Sequence, residues 1–186
     1  MMTATSSFPD PKVIGTKKPG VSYTDRHSAR VVAFNAGGEV AILYAKRENY
    51  YKLPGGGIEP GEDHETAAKR EFQEETGGLI RLRGNGCVAA TEEFRFQQRQ
   101  VSYCYCADLV DDSGEPALIE EEREDGLGHL WMSVDEAKKA MAAAEPSSEF
   151  GRSVKERDMY LLDQASKYIA IQLPFTRGNP DDQQAP

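Results

Sequence analysis

The feature that most constrains this chain is the segment from residue 53 to residue 78, LPGGGIEPGEDHETAAKREFQEETGG. Its glycine run, Gly55–Gly57, lets the backbone turn sharply and approach a ligand closely. Helix formers then continue from about Asp63 to Thr76. Asp63 is a suitable N-cap residue and Gly77 a suitable residue to end the helix. The segment therefore predicts a glycine-rich turn that leads into a helix.

Three glutamates of this predicted helix share one face. At about 100° per residue, Glu74 lies about 60° to one side of Glu71, and Glu75 lies about 40° to the other side. Like charges at such spacings cost roughly 0.2–0.5 kcal/mol per pair, so a cation over the face would stabilise them. Mg²⁺ prefers oxygen ligands and commonly bridges carboxylates to substrate phosphates. From the carboxylates alone, a solvated charged surface with Arg70 paired to Glu74 is the simpler explanation.

The residues around the glutamates follow a known pattern, the Nudix box, G-x5-E-x7-R-E-U-x-E-E-x-G-U, where U is a bulky apolar residue. The matching positions are Gly56, Glu62, Arg70, Glu71, Glu74, Glu75 and Gly77. One position departs, because Gly78 occupies the last apolar site, which loosens the packing where the helix ends. Over residues 56–78 the chain thus resembles the Nudix hydrolase family.

This resemblance implies the fold and the chemistry. The expected fold class is α/β, a Nudix-like α/β/α sandwich with a mixed central sheet. The expected activity is that of a pyrophosphohydrolase, which hydrolyses a nucleoside diphosphate linked to another moiety with Mg²⁺ or Mn²⁺. A metal would neutralise the diphosphate and make water a better nucleophile. An acidic protein can then hold an acidic substrate.

The resemblance also implies roles for single residues. Glu71, Glu74 and Glu75 are expected metal ligands and catalytic residues, and the backbone carbonyl of Gly55 is expected to join them. Glu71 is alternatively the base that deprotonates the attacking water. The expected structural supports are Gly56, Glu62 and Arg70.

A further catalytic glutamate is expected from the acidic stretch that precedes the last strand, since family members often supply one there. The candidates are Glu120, Glu121, Glu122, Glu124 and Asp125. Spacing from Trp131 favours Glu124. For each candidate, an ordinary solvated loop charge is the competing interpretation.

Outside the box, the pattern predicts one domain with two tails. Residues 1–20 are polar and are expected to form a flexible arm, residues 21–173 a single domain, and residues 174–186 a disordered tail. SARVVAFN and EVAILYAKR flank a Gly-Gly pair, which indicates a β-hairpin. Ser133 and Glu136 predict a capping box. The helix expected from about Val154 has an apolar stripe that suits packing on the domain or a homodimer contact.

Charge and composition narrow the partners. The formal net charge is −9, which argues against binding to bulk nucleic acid because that needs a basic face. No apolar run is long enough for a membrane span, and no secretory signal is evident. The three cysteines lack zinc-like spacing, and buried reduced thiols in a cytoplasmic protein are expected.

The substrate class stays open between nucleoside triphosphates, including oxidised ones, and ADP-ribose-like conjugates. A diphosphoinositol phosphate would need a basic pocket, which the sequence does not show. Arg95 and Arg99 are candidates for phosphate contacts, and Tyr50, Tyr51 and Phe94 for base stacking, with ordinary sheet-surface roles as the default. The alternative function is a catalytically silent nucleotide-binding or sensor module. Such modules usually lose box carboxylates, which are intact here.

Overall fold

One mixed sheet of eight strands is the centre of the computed structural model, which describes residues 8–84 and 86–172. The strands are β1 (Lys12–Gly15), β2 (Thr24–Phe34), β3 (Val40–Ala45), β4 (Tyr50–Lys52), β5 (Leu79–Leu82), β6 (Ala89–Arg95), β7 (Gln98–Asp111) and β8 (Leu127–Met132). The helices are α1 (His64–Thr76), α2 (Glu120–Glu124), α3 (Val134–Ala143) and α4 (Glu149–Gln172).

Parallel pairing of β2 with β7 forms the middle of the sheet, in the order β1-β6-β7-β2-β3-β4. Along the whole of β2 each residue has a partner in β7, from Thr24 opposite Gln98 to Phe34 opposite Asp108. β6 is antiparallel to β7 and β1 is parallel to β6. β5 pairs with β7, and β8 pairs with β3, both in antiparallel orientation. The sheet is therefore mixed, as expected.

Helices cover both faces of the sheet, which completes an α/β/α sandwich. α1 packs on one face through Ala67, Ala68 and Phe72, against β2 residues such as Ala29 and Val31. α3 and α4 pack on the other face. The buried side chains there include Val32, Ile42, Leu53, Cys104, Cys106, Ala137, Met141, Leu161, Leu162 and Ala165. The expected fold class is confirmed.

Local capping explains where α1 begins and ends. The Asp63 carboxylate accepts a hydrogen bond of 2.8 Å from the Thr66 amide, and Gly77 adopts φ 79° while its amide donates to the Gln73 carbonyl. The left-handed conformation at Gly77 favours glycine. Both helix ends lie where the sequence predicts them.

The apolar stripe of α4 packs within the chain. Val154, Leu161, Leu162 and Ala165 are buried, and α4 lies against α3 and the sheet. Of the two interpretations of this stripe, packing on the domain is observed for these four residues, and the homodimer contact stays a prediction.

Some segments differ from the expectation. Lys12–Gly15 lie within the segment expected to be a flexible arm, yet they form β1, because Ile14 is buried against the fold. β5 and the short helix α2 were also not predicted. The rest of the arm up to residue 7 and the expected tail from 174 lie outside the described residues. Within residues 8–84 and 86–172, no helix has the length and apolar character of a membrane span.

Candidate metal and active site

Glycines Gly55 and Gly56 press the turn before α1 against its neighbours. Gly55 has φ 136°, and a Cβ there would collide with the Ala29 carbonyl on β2. A Cβ on Gly56 would fall on the Glu71 carboxylate. The Gly56 carbonyl accepts a hydrogen bond of 3.0 Å from the Ala29 amide. Any larger residue would push Glu71 out of its position.

Arg70 clamps the box carboxylates from the side of the helix. Its Nε and Nη2 donate to the two oxygens of Glu62, both at 2.8 Å, and Nη2 also donates to the Gly57 carbonyl at 2.9 Å. Its Nη1 donates to Glu71 at 2.9 Å and to Glu74 at 3.2 Å. Hydrogen bonds to Arg70 lower the pKa of Glu62, and the same pairing raises the pKa of Arg70. These contacts are consistent with the structural support expected from Glu62 and Arg70.

Glu75 is the innermost of the three glutamates, with its side chain only 2% exposed. Its carboxylate accepts from Lys52 Nζ at 2.6 Å and from the Gly55 amide at 2.7 Å. Burial raises the pKa of Glu75, and the Lys52 charge opposes that rise. An internal cation thus already balances this carboxylate.

The acidic cavity, as we call it, has a volume of about 340 Å³ and brings the box glutamates together with one residue of α2. Its lining residues are Glu59, Glu71, Glu74, Glu75, Ala117, Ile119 and Glu122. The loop carboxylate that reaches the box is therefore Glu122.

Glu124, the residue favoured by spacing, lies elsewhere. Its side chain is 61% exposed and is 3.9 Å from Arg47, and it lines neither cavity at the box. The reason is the unpredicted helix α2, in which residues two apart point in nearly opposite directions. Glu122 was also among the sequence candidates, and it is the one whose side chain faces the site.

The donor chemistry of the acidic cavity fits a hard divalent cation. Glu71 and Glu74 each bond to Arg70 through one oxygen, and their other oxygens have no hydrogen-bond partner among the described residues. Carboxylate oxygens of this kind suit Mg²⁺ or Mn²⁺. Glu75 would have to exchange Lys52 for the ion. In the described chain no three His, Cys, Asp or Glu side chains already converge closely enough to enclose a metal.

The expected carbonyl ligand, Gly55, is engaged within the protein. Its carbonyl oxygen accepts a hydrogen bond from Arg30 Nη1, and its amide donates to Glu75. A carbonyl oxygen has two lone pairs, so this bond restricts the Gly55 carbonyl without removing its capacity as a ligand.

The cationic cavity, about 220 Å³ in volume, adjoins the acidic one. Its cationic lining residues are Arg26, Arg30, Lys52, Arg95 and Arg157. The sequence does not show a basic pocket, whereas the fold assembles this one. Arg26 and Arg30 stand four apart on β2, a period that places them on one face of a strand, so part of the signal was local. Arg157 arrives from α4, which only the tertiary fold reveals.

Glu71, Glu75 and Glu122 line both cavities, together with Ile119. The acidic and cationic cavities therefore meet along a shared wall of carboxylates. An anionic group with a bound divalent ion would have complementary charge on both sides of that wall: the ion would face the glutamates and the anion would face the arginines.

Aromatic side chains line a third cavity of about 570 Å³, which shares Arg26 and Gly57 with the cationic cavity. In this aromatic cavity the ring of Tyr103 lies 4.3 Å from His64 and 4.8 Å from Phe8, measured between ring centroids. His27 stacks on the same tyrosine with its ring centroid at 5.9 Å.

The aromatic residues singled out from the sequence lie in other places. Tyr50 is buried in the wall of the cationic cavity, whereas Tyr51 packs on Tyr44. Phe94 contacts Tyr23. Of the two arginine candidates, Arg95 lines the cationic cavity, while Arg99 pairs with Glu92. The rings of the aromatic cavity come from four distant segments, so periodicity could not have grouped them.

Comparison with known proteins gives a family. A family model described as "NUDIX domain" matches residues 24–152, which is well over half of the chain. A comparison with curated proteins found no match.

Several solved structures resemble this one. A MutT protein from Methanosarcina mazei Go1 is 17% identical with a TM-score of 0.54, covering 80% of this chain and 99% of that chain. A NUDIX hydrolase from Nitrosomonas europaea is 15% identical with a TM-score of 0.58, covering 78% and 90%. An Ap4A hydrolase from C. elegans is 18% identical with a TM-score of 0.54, covering 78% and 99%. At these identities the likeness concerns the fold.

Proposed function

Because this chain belongs to the Nudix family, we propose that it hydrolyses a diphosphate bond in a nucleoside diphosphate derivative, by attack of water on phosphorus. One observation carries the proposal: Glu71, Glu75 and Glu122 form a wall common to the acidic and cationic cavities. A diphosphate at this wall would have carboxylates that can hold a cation on one side and guanidinium groups on the other. Hydrolysis of a diphosphate depends mainly on such positioning and charge stabilisation.

The divalent ion in this proposal, Mg²⁺ or Mn²⁺, would be held by Glu71, Glu74 and Glu75. When bound, it would neutralise phosphate charge that the protein's own acidic wall would otherwise repel. The protein itself positions the carboxylates that would hold the ion. Arg70 keeps Glu71 and Glu74 on one side of the helix through its hydrogen bonds, and Gly56 leaves the space that the Glu71 carboxylate fills.

Proton removal from the attacking water needs a carboxylate within reach of the diphosphate. Glu122 replaces Glu124 as the candidate from the loop region, since it lines both cavities. One Glu122 oxygen accepts from the Ile119 amide at 3.1 Å, which orients the side chain. Glu71 is the alternative base, as the sequence analysis left open.

The nucleoside part of the substrate has a candidate binding surface in the aromatic cavity. The rings of Tyr103, His64 and Phe8 line this cavity and pack on one another. A base would extend this stack, and base–aromatic stacking stabilises binding by about 1–3 kcal/mol per base. Arg26 lies between this surface and the cationic cavity.

The domain limits and the compartment belong to the same proposal. The functional unit includes β1, which precedes the expected start at residue 21 and pairs with β6, and α4, whose buried side chains complete the core. Three free cysteines, of which Cys104 and Cys106 are buried, suit a reducing compartment such as the cytoplasm.

A substrate panel tests this proposal. The protein is incubated with nucleoside triphosphates (including oxidised ones), ADP-ribose and diadenosine polyphosphates at millimolar Mg²⁺ or Mn²⁺, in water enriched in ¹⁸O. Mass spectrometry of the products then identifies the phosphorus that water attacks. We expect hydrolysis by the wild type, loss in Glu74→Gln and Glu75→Gln, and no change in Glu65→Gln, an exposed residue of α1. A protein that binds nucleotide yet releases no product would be the silent sensor instead.

A further inference from the structure

The cationic cavity contains guanidinium donors that have no hydrogen-bond acceptor among the described residues. Behind its wall, Glu93 serves two guanidinium groups, at 3.5 Å from Arg95 and 3.6 Å from Arg157. Asp158 also pairs with Arg157, at 2.6 Å. The cavity also has three lining carboxylates, Glu71, Glu75 and Glu122, and Glu75 pairs with Lys52.

Arg30 shows this lack of partners most directly. It is only 6% exposed and has no carboxylate within ion-pair distance among the described residues, since its Nη1 donates to the Gly55 carbonyl. Its Nε has no hydrogen-bond partner there. Burial, and next the charge of Arg157, lower the pKa of Arg30 to about 10. A buried cation without an anionic partner is costly to the fold.

Two more donors around the cavity lack full partners. Arg95 Nε is near Glu93 but makes no hydrogen bond, although its side chain is 6% exposed. Its guanidinium group lies 4.6 Å from the centroid of the Phe150 ring, which holds its plane in place. Arg26 is exposed and makes no ion pair or side-chain hydrogen bond within residues 8–84 and 86–172. These groups share one cavity wall.

We propose that the cationic cavity binds phosphate groups of the substrate beyond the scissile diphosphate. The substrate class is therefore one with extra phosphates, either in a longer polyphosphate chain or on the ring of the second moiety. An extra phosphate supplies the acceptor oxygens that Arg30, Arg95 and Arg26 lack, and arginine suits phosphate because of its planar set of donors. This inference rests on the proposed function, because it concerns the substrate of the same site.

Matched substrates test the inference by activity. Diadenosine tetraphosphate is compared with diadenosine diphosphate, and NADPH with NADH, while a diphosphoinositol pentakisphosphate represents the phosphate-bearing ring. We expect kcat/KM to be about tenfold or more higher for the phosphate-rich member of a pair, the effect of one charge-assisted hydrogen bond. The tetraphosphate arm identifies the chain source, and the inositol arm identifies the ring source. Equal kcat/KM within every pair, with no cleavage of the inositol compound, would overturn the inference.

Variants assign the preference to the cavity. Arg26→Gln and Arg95→Gln each remove one positive charge from it, and Arg81→Gln is the matched control, because that side chain is 77% exposed on β5. We expect the first two to reduce the preference for the phosphate-rich member about tenfold, and the control to keep it. Since Arg26 is exposed and unpaired, Arg26→Gln tests the cavity even if Arg95→Gln does not fold. If the two cavity variants lowered kcat/KM equally for both members, the inference would be wrong.

A binding measurement makes the test independent of catalysis. Calorimetry with inorganic triphosphate in excess EDTA, without any divalent ion, should show binding to the wild type and Arg81→Gln, and about tenfold weaker binding to Arg26→Gln and Arg95→Gln. Binding without hydrolysis of any compound would refute the proposed function and support this inference. Hydrolysis of NADH or ADP-ribose without triphosphate binding would do the reverse.

Discussion

Lys52 Nζ lies 2.6 Å from Glu75 Oε1, in a part of the structure where the Glu75 side chain is 2% exposed and that of Lys52 15%. The innermost carboxylate of the proposed metal site is thus neutralised by a lysine of the chain. A divalent ion and Lys52 would compete for the same oxygens. The exchange of one cation for the other gives the site a measurable signature.

Replacing Lys52 by methionine should make the fold depend on metal. Without a divalent ion the variant leaves Glu75 buried and unpaired, which should lower the free energy of unfolding by on the order of 3 kcal/mol. Mg²⁺ or Mn²⁺ should then stabilise the variant more than the wild type. Urea unfolding with and without each ion measures both effects. Lys138→Met is the control, because its ion pair with Asp163 is half-exposed and should contribute about 0–1 kcal/mol. Equal metal stabilisation of Lys52→Met and wild type would argue against competition.

Metal addition alone should stabilise the wild type. An ion that binds only the folded state at one hundred times its Kd raises the free energy of unfolding by about 2.7 kcal/mol. Thermal unfolding should therefore show a higher Tm with Mn²⁺ or Mg²⁺, and a smaller rise in Glu74→Gln. A Ca²⁺-free buffer and a matched ionic strength are the controls. If Tm stayed constant at millimolar ion, the carboxylates of α1 would not be metal ligands.

Arg70→Lys should impair catalysis although it keeps the charge. A lysine cannot bridge Glu62, Glu71 and Glu74 at once, whereas the guanidinium group does so. Loss of such orienting contacts typically costs about 10–100-fold in metal affinity or activity. Steady-state kinetics and metal titration measure the two. Lys69→Arg, at an exposed neighbouring position, is the control and should have wild-type activity. A wild-type kcat/KM in Arg70→Lys would show that these hydrogen bonds of Arg70 are not needed for catalysis.

Glu62 should contribute stability that acid removes. Its pKa is lowered in the folded protein through hydrogen bonds to Arg70, so its contribution is full above the unfolded value of about 4.3. It is lost as pH falls through the lower, folded value. Urea unfolding at pH 7, 5 and 3.5 should show Glu62→Gln less stable than wild type at the first two values and closer to it at the third. A gap that widened on acidification would have the wrong sign.

Tyr103→Ala should weaken nucleotide binding without altering the chemical step. Loss of one stacking face costs about 1–3 kcal/mol, so KM for a nucleotide substrate should rise about tenfold while kcat stays near wild type. Tyr44→Ala is a fair comparison, because Tyr44 stacks on Tyr51 away from the aromatic cavity. An unchanged KM in Tyr103→Ala would show that the base does not bind in the aromatic cavity.

Local signals in the sequence explain what could be predicted. The limits of α1 follow from Asp63 and Gly77, and its three glutamates follow from their spacing, because both depend on contacts within one turn of helix. β6 and β7 could be predicted from their alternation, and β2 and β3 from apolar runs that flank a Gly-Gly pair. By contrast, β5 is a four-residue strand, too short for periodicity to reveal.

The parts that escaped prediction depend on distant contacts. Glu122, rather than Glu124, faces the box because α2 turns the acidic stretch, and the residues of α2 carry no apolar pattern that would predict a helix. The cationic cavity combines β2, β4, β6 and α4, so only the fold brings its arginines together. Arg95 was a candidate from the sequence. Its near-complete burial beside Glu93 could not be predicted, because charged residues of a strand are expected on its solvent-exposed face.

The position of α4 has a consequence for how the working unit is delimited. The family match ends at residue 152, yet Asp158 accepts a hydrogen bond of 2.9 Å from the Leu53 amide, two residues before the glycine run, and Arg157 lines the cationic cavity. A chain trimmed to the matched range would retain the signature motif and lose the anchor beneath it. Relatives that diverge in this last helix are accordingly expected to diverge in substrate selection while their signature residues stay the same.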